Sequence, residues 1–304
     1  VFLAQARGFF ERVNLDVQTQ TFADSALMIP ALVAGELDVA IATSNAAFFN
    51  AVNRGAPFRM VMDRGSERSG AGSMSIAVSN AMFEAGVTSV DKMAGLRGRR
   101  LAIQAPGAID QWLLGRGIEK AGLDPRTDVT WQPGLPYPDI VRALGAGTAD
   151  AANIPVPLAF LVERNNAGRL IGASWDIEPD TQLANWAMSQ AFIGQNRSAA
   201  VRFCMSQIHS GRLYNAAAAA KDADVIRILS EATRIPPNLI EAAAPRWTWF
   251  VEDGQPNVES VMAQGRFWVE RMRLASGLAS REQIFDTGPL QEAQQRLRTA
   301  NPFA

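Results

Sequence analysis

Cysteine and histidine occur once each in the 304 residues, tyrosine twice and lysine three times. A lone Cys204 excludes an intrachain disulfide and a multi-cysteine zinc site, but it leaves the compartment open, since many exported proteins carry no disulfide. The lone His209 falls inside a long helical segment near Cys204, and neither has a sequence neighbour suited to nucleophilic or metal work. No Walker-type phosphate loop is present, and no Gly-x-Gly-x-x-Gly opens a helix after a strand. No apolar run approaches the roughly 18 residues that span a bilayer. Charge of one sign is also lacking: Lys+Arg total 29 against Asp+Glu 30. The densest basic group, Arg97, Arg99 and Arg100, has no wider basic face around it, so nucleic acid is not an expected partner. Carboxylate pairs that meet only in the fold stay open.

What the chain does have is a repeat. LVAGELDVA begins at Leu32 and LGAGTADAA at Leu144, so Leu-x-Ala-Gly-x-x-Asp-x-Ala is written twice, 112 residues apart. Both copies follow segments with apolar residues at helical spacing, SALMIPALVAG and YPDIVRALGAG, that stop at Gly35 and Gly147. Glycine suits the left-handed position after a helix end, which a Cβ disfavours. The residues after each glycine, ELDVAIA and TADAANI, are short and mostly apolar without alternation, as in strands covered on both faces. NAAFFNAVNRG and PLAFLVERNNAG then read as crossover helices, and FRMVMD and RLIGASWD as the next strands. Upstream, FFERVNLDVQTQTF and RGIEKAGLDPRTDVTWQPG each read as helix, Leu-Asp turn and strand.

The expectation is an α/β protein of two similar lobes, each a mainly parallel sheet flanked by helices. SMSIAVS from Ser73 and NWAMSQAFI from Asn185 read as two crossover strands forming a hinge. Lobe I is assigned residues 1–74 and 195–304, and lobe II residues 75–194. The C-terminal third reads as helical buttressing, with Val258, Val261, Met262, Phe267, Met272 and Leu274 as packing positions.

In such a fold ligands settle outside the carboxyl ends of strands, where helix N-termini offer free N–H groups. The loops that qualify are Phe22-Ala23-Asp24-Ser25, Thr43-Ser44-Asn45 and Asp63-Arg64 in one lobe. Pro106-Gly107-Ala108-Ile109-Asp110, Leu135-Pro136-Tyr137 and Asn153-Ile154-Pro155 qualify in the other, with Trp175 and Trp186 nearby. Asp24, Ser25, Ser44, Asn45 and Asp110 are also ordinary N-cap types, and both tryptophans also suit an interlobe core.

VFLAQARGFFERVNLDVQTQTF, LVAGELDVAIATSNAAFF and RGAPFRMVM, followed by SVDKMAGLRGRRLAIQAPGAID, AGLDP and ALGAGTADA, resemble in that order the periplasmic substrate-binding proteins of nitrate/taurine/alkanesulfonate ABC importers. The resemblance covers most of the first 175 residues. It implies the type II periplasmic-binding-protein fold and a receptor, not an enzyme. Such a receptor closes on a small solute and hands it to a permease and its ATPase, as a monomer and without cofactor or metal. It places ligand contacts on Phe22, Asp24, Ser25, Ser44, Asn45, Gly107, Ala108, Ile109, Asp110, Tyr137 and Asn153. It also implies a periplasmic location, with a leader absent from this chain and a first strand and ligand loop ahead of Val1.

Helix N-termini at Ser44-Asn45 and Gly107 to Asp110, with Arg64, favour an anionic head. Tyr137, Trp175 and Trp186 suit a flat body. The expected solute is therefore a small organic anion: a sulfonate, a carboxylate or an aromatic acid. The alternative is an enzyme on the same fold. Thiamine-pyrimidine synthases, which resemble the family, need a cysteine-rich cluster, a cofactor-binding lysine and a sacrificial histidine that this inventory barely supplies. A chorismate-lyase-like activity would need little beyond a shaped cleft.

Overall fold

A computed structural model describes residues 1–22 and 25–303. The chain first builds α1 (Phe2–Ala6), α2 (Met28–Ala34), β1 (Val39–Ala42), α3 (Ala46–Asn53) and β2 (Phe58–Ser66). It crosses to a second body of β3 (Met74–Ser79), α4 (Asn80–Glu84), β4 (Arg100–Ala102), α5 (Ile109–Lys120), β5 (Thr130–Gln132), α6 (Tyr137–Gly145), β6 (Ala151–Pro155), α7 (Phe160–Arg164) and β7 (Gly168–Ala173). It then returns as β8 (Gln182–Ser189), α8 (Gln190–Gln195), α9 (Arg197–Ala220), α10 (Ala223–Thr233), α11 (Pro237–Ala243), α12 (Val258–Arg266), α13 (Arg281–Ile284) and α14 (Gly288–Thr299).

The repeat is structural: α2-β1-α3-β2 and α6-β6-α7-β7 follow the same path in the two bodies. Gly35 and Gly147 both take the left-handed conformation, with φ of 77° and 65°. The two crossing strands share a second local device. β3 and β8 each end at a serine, Ser79 and Ser189, whose hydroxyl accepts the backbone N–H of Met82 or Phe192 and so starts the next helix.

Neither sheet is mainly parallel: the first pairs antiparallel throughout, and the second is mixed. In the first, β8 lies between β1 and β2 and runs antiparallel to both. In the second, of order β5-β4-β6-β3-β7, the β4 pairings are parallel but β3 is antiparallel to β6 and β7. Each crossing strand arrives from the opposite body, so it enters its new sheet against the local strand direction. Residues 182–189 hydrogen-bond into the first sheet, so the second sheet ends with β7. Val17–Thr21, read as a strand, carries no ladder among the described strands.

Both faces of the second sheet are covered, by a core around Ile76, Val78, Leu101 and Ile103 and by another around Ala77, Ala102, Ala152 and Ile154. That accounts for strands without alternation. A larger core draws on both bodies: Phe48, Phe49, Met60, Val261, Phe267 and Trp268 from the first meet Met74, Trp112 and Leu113 from the second. Val261, Met262, Phe267 and Met272 are buried there. No helix among the described residues is long and apolar enough to cross a membrane.

Candidate functional site

The two bodies are joined by residues 67–73 and 174–181, and the backbone N–H of Glu67 donates to Thr181 O at 2.8 Å, tying the crossings together. They also touch across the cleft. Asn45 caps α3, its Oδ1 accepting Phe48 N at 2.7 Å, and the first free N–H of that helix, on Ala46, donates to Gly107 O of the second body at 3.3 Å. Gly107 has φ +78°, and a Cβ there would stand 2.6 Å from the Cβ of Ala46. The lobes are therefore closed on one another, with two helix N-termini, those of α3 and α5, at the seam.

Around that seam several expected residues converge. Ser25 and Thr43 hydroxyls lie 2.8 Å apart, and Asn45 Nδ2 donates to both. Met28, Ile29, Leu32, Phe48 and Phe58 line an apolar pocket beneath this polar trio. Ser44 is buried, its carbonyl accepting Trp268 Nε1 at 2.7 Å. Asp110, also buried, accepts the N–H groups of Gln104 and Gln111 at 2.7 and 2.9 Å and so shapes the Gly107–Ala108 turn. Ile109 packs against the core shared by both lobes. Tyr137 is the first residue of α6, half-buried beside the Ile140 core. Asp24 lies outside the described residues, and Phe22 is half-buried just before it.

Three placements differ from the sequence reading. Asp63-Arg64 and Asn153-Ile154-Pro155 are not loops but parts of β2 and β6. Asn153 is fully buried and donates through Nδ2 to Ser174 Oγ at 2.6 Å. Trp186 belongs to the core: it is 6% exposed, and its ring meets Phe203 of α9 edge-on at 5.2 Å, on the β8 face that packs against that helix. A central strand presents alternate residues to opposite faces, and Trp186 falls on the α9 side.

The segment that sequence reading missed is Arg246-Trp247-Thr248-Trp249-Phe250. In sequence it reads as buttressing, yet Trp249 exchanges both backbone hydrogen bonds with Ser66, at 2.8 and 3.1 Å, and Thr248 Oγ1 meets Ser73 Oγ at 2.8 Å. Three aromatics in four residues after Pro245 were the available signal. Arginines stack on aromatic faces all along this stretch. Arg68 lies 3.3 Å from the Trp249 ring centre, Arg246 4.9 Å from Trp175, and Arg64 5.9 Å from Phe250. Tyr214 of α9 closes the group, 4.9 Å from Trp247 and 5.0 Å from Phe250.

Arg64 stands out in that group. Its Nε is fully enclosed, and the side chain makes no hydrogen bond or ion pair among the described residues. Desolvation pulls its pKa down, opposed by the nearby Tyr214 and Asp63. Asp63 gives it little: its oxygens already accept Gly65 N, Ser66 Oγ, Gln182 Nε2 and Val251 N. Glu67, the other acid here, is fully buried. Its Oε1 accepts Ser73 N and Met74 N at 2.8 and 3.0 Å, and burial pushes its carboxyl up to about 7 against those bonds and the charge of Arg246.

Comparison with known proteins agrees with this architecture. The model of the NMT1-like family matches residues 1–230. A putative binding protein of Bacillus subtilis, YtlA, is 20% identical over 81% of this chain and 71% of its own length. The periplasmic nitrate-binding protein NrtA from Synechocystis PCC 6803 superposes with a TM-score of 0.79 at 16% identity, covering 100% of this chain and 87% of that one. The alkanesulfonate-binding protein SsuA from Xanthomonas axonopodis pv. citri, bound to MOPS, gives 0.67 at 20%, covering 92% and 90%. The fold is also that of an enzyme: the desulfurization enzyme DszB gives 0.61 at 14%, covering 97% and 95%.

Proposed function

We propose, from the premise that this chain belongs to the NMT1-like family, that it is the solute-binding receptor of an ABC importer and captures a small organic anion between its lobes. The observation that carries the anion is Arg64. A guanidinium stays ionised, and this one, with its Nε enclosed and no hydrogen bond or ion pair among the described residues, is left poorly compensated. A carboxylate or sulfonate entering the cleft would supply that partner, and Trp175, Tyr214, Trp249 and Phe250 favour an acid with a flat body. Residues 1–66 with 182–303 form one moving body in this reading, and 74–173 the other. Ligand binding shifts the hinge toward the closed form that a permease and its ATPase recognise. The receptor acts in the periplasm as a monomer, which light scattering of the purified chain checks.

The enzyme reading rests on the shared fold of DszB, one of whose structures is a cysteine-to-serine mutant holding biphenyl-2-sulfinic acid. Here the only cysteine, Cys204, is fully buried in α9, and burial pushes its thiol well above the ordinary range. A reactive thiolate needs access and a lowered pKa, so this residue offers no nucleophile to the cleft.

A thermal-shift screen of aliphatic and aromatic carboxylates and sulfonates against inorganic anions tests the assignment, since a binder of the native state raises stability by mass action. The expected result is stabilisation by organic anions recovered chemically unchanged. Tight nitrate or bicarbonate binding with no response to organic anions refutes the solute class. A hit that is consumed replaces the receptor with an enzyme.

The seam offers its own test. Gly107→Ala puts a Cβ into Ala46 and strains a positive-φ position, at about 1–2 kcal/mol for the backbone alone. The lobes relieve the clash by parting, so small-angle scattering should report a larger radius of gyration for the variant. An unchanged scattering profile would mean that the seam yields locally and does not govern closure.

A further inference from the structure

Four buried polar groups on the α3 and α5 side of the seam have no hydrogen-bond partner among the described residues: Ser44 Oγ, Trp112 Nε1, Gln264 Oε1 and both polar atoms of Asn185. Asn185 and Gln264 are 0% exposed. Native interiors pair nearly all such atoms, and each orphan costs about 1–3 kcal/mol, so a cluster of them calls for an occupant.

The fold brings them to one place. Asn185 sits on β8 opposite Ala42, two residues before Ser44, and opposite Asp63 on its other side. It shares a sheet face with Leu183 and Ala187, and both pack in the core that receives Trp112 and Met74 from the second lobe. Ser44 is held by Trp268, whose neighbour Phe267 meets the Trp112 ring edge-on at 5.1 Å. Gln264, one turn ahead of Trp268, donates its Nε2 to Gln182 O at 2.9 Å on the same strand as Asn185. Both lobes contribute, so opening the hinge uncovers the cluster and closing it seals the groups around whatever has entered.

Its chemistry differs from that of Arg64. Trp112 is a donor only, Ser44 donates or accepts, and an asparagine amide offers one acceptor and one N–H₂ whichever way it is turned. The carbonyl oxygens of Asn185 and Gln264 would face a bare oxoanion with like partial charge. They are satisfied only by a ligand that itself carries N–H or O–H. We propose that this cluster is a second recognition point for the uncharged end of the solute, and that this end is an amide-like group presenting a donor and an acceptor side by side: a carboxamide, a ureide or the lactam edge of a heterocycle. The inference rests on the receptor reading above and narrows its solute to an anion with an amide-like far end.

Matched acids test it: glutaramate against 5-oxohexanoate, and 4-carbamoylbenzoate against 4-acetylbenzoate, titrated calorimetrically into the wild type, Asn185→Leu and Arg64→Met. Each pair differs only by the replacement of the amide NH2, with its N–H donors, by a methyl group. The expected result is tighter binding of the amide member by about ten- to hundredfold in at least one pair. That preference is lost in Asn185→Leu, whose unliganded melting temperature stays level or rises because an orphan amide has been replaced by a similar apolar shape. Equal binding within both pairs overturns this inference and leaves the receptor reading intact. A preference that survives in Asn185→Leu also overturns it. A marked fall in the unliganded stability of Asn185→Leu does so too, because the amide is then already paired, by ordered water only. Silence of all four acids, or binding undiminished in Arg64→Met, brings down the anion reading as well.

Discussion

Replacing Arg64 by Met is expected to weaken binding of the anionic solute by about 2–5 kcal/mol, roughly 30- to 4,000-fold, while leaving the unliganded protein as stable as before or more so. The two effects have opposite signs because the guanidinium gains an ion-pair partner only when ligand is bound. In the bound state, truncating one member of a desolvated charge pair costs this much, largely because the other charge is stranded. In the free state Arg64 has its Nε enclosed and makes no hydrogen bond or ion pair among the described residues, and exchanging a partly desolvated, poorly compensated charge for a hydrophobe of similar length relieves desolvation. The residue as a whole is half-buried, so part of it meets solvent and the gain in free stability is modest, about 1 kcal/mol. Calorimetric titration and thermal unfolding of the same variant read the two effects separately. Affinity within threefold of wild type would remove Arg64 from the site. A destabilised free protein would mean that Arg64 supports the fold, through its position over Phe250.

The second large effect belongs to Glu67, which lies where the chain leaves β2 for the second lobe. Its carboxyl is raised from an ordinary 4.5 to about 7, chiefly by burial. Between those values the folded protein holds a proton that the unfolded chain has released, so stability falls as pH rises from about 4.5 to about 7 and the loss is complete above that. A shift of this size corresponds to roughly 3 kcal/mol, as an order of magnitude. Glu67→Gln keeps an oxygen to accept Ser73 N and Met74 N and cannot ionise. It should therefore flatten the decline and leave the variant more stable than wild type by about 2–3 kcal/mol at pH 8, while the two converge near pH 4.5. The charged groups facing this position are Arg246 and, through it, Asp176, and neither changes in the variant. Urea unfolding at half-unit steps between pH 4.5 and 8.5 measures the difference. Parallel curves for the two proteins would show that the carboxyl titrates in its ordinary range, held there by Arg246.

How much of this was legible beforehand depends on the distance over which each feature is encoded. The doubled Leu-x-Ala-Gly-x-x-Asp-x-Ala unit, the left-handed Gly35 and Gly147, the Asn45 cap and the apolar strands covered on both faces are all decided within a turn or a strand. There, backbone preference and side-chain period act on adjacent residues. They sufficed to place two similar α/β lobes and most of the loops that meet at the seam.

Which strands pair and in what direction, which aromatics reach the hinge, and which polar groups end without partners were not decided there. β8 enters between β1 and β2 because its chain returns from the other lobe. Trp186 and Asn185, neighbours in sequence, are thereby sent to opposite faces, one into the core against α9 and one toward the seam. Val251 donates to Asp63 across 188 positions, and the same juxtaposition carries Trp249 and Phe250 to Arg68 and Arg64. Arginine, asparagine and tryptophan in isolation have no burial or charge balance to read. Those arise only when distant segments compete to cover one another, and here that competition left Arg64 without an ion pair and the side-chain amide of Asn185 without a hydrogen bond among the described residues.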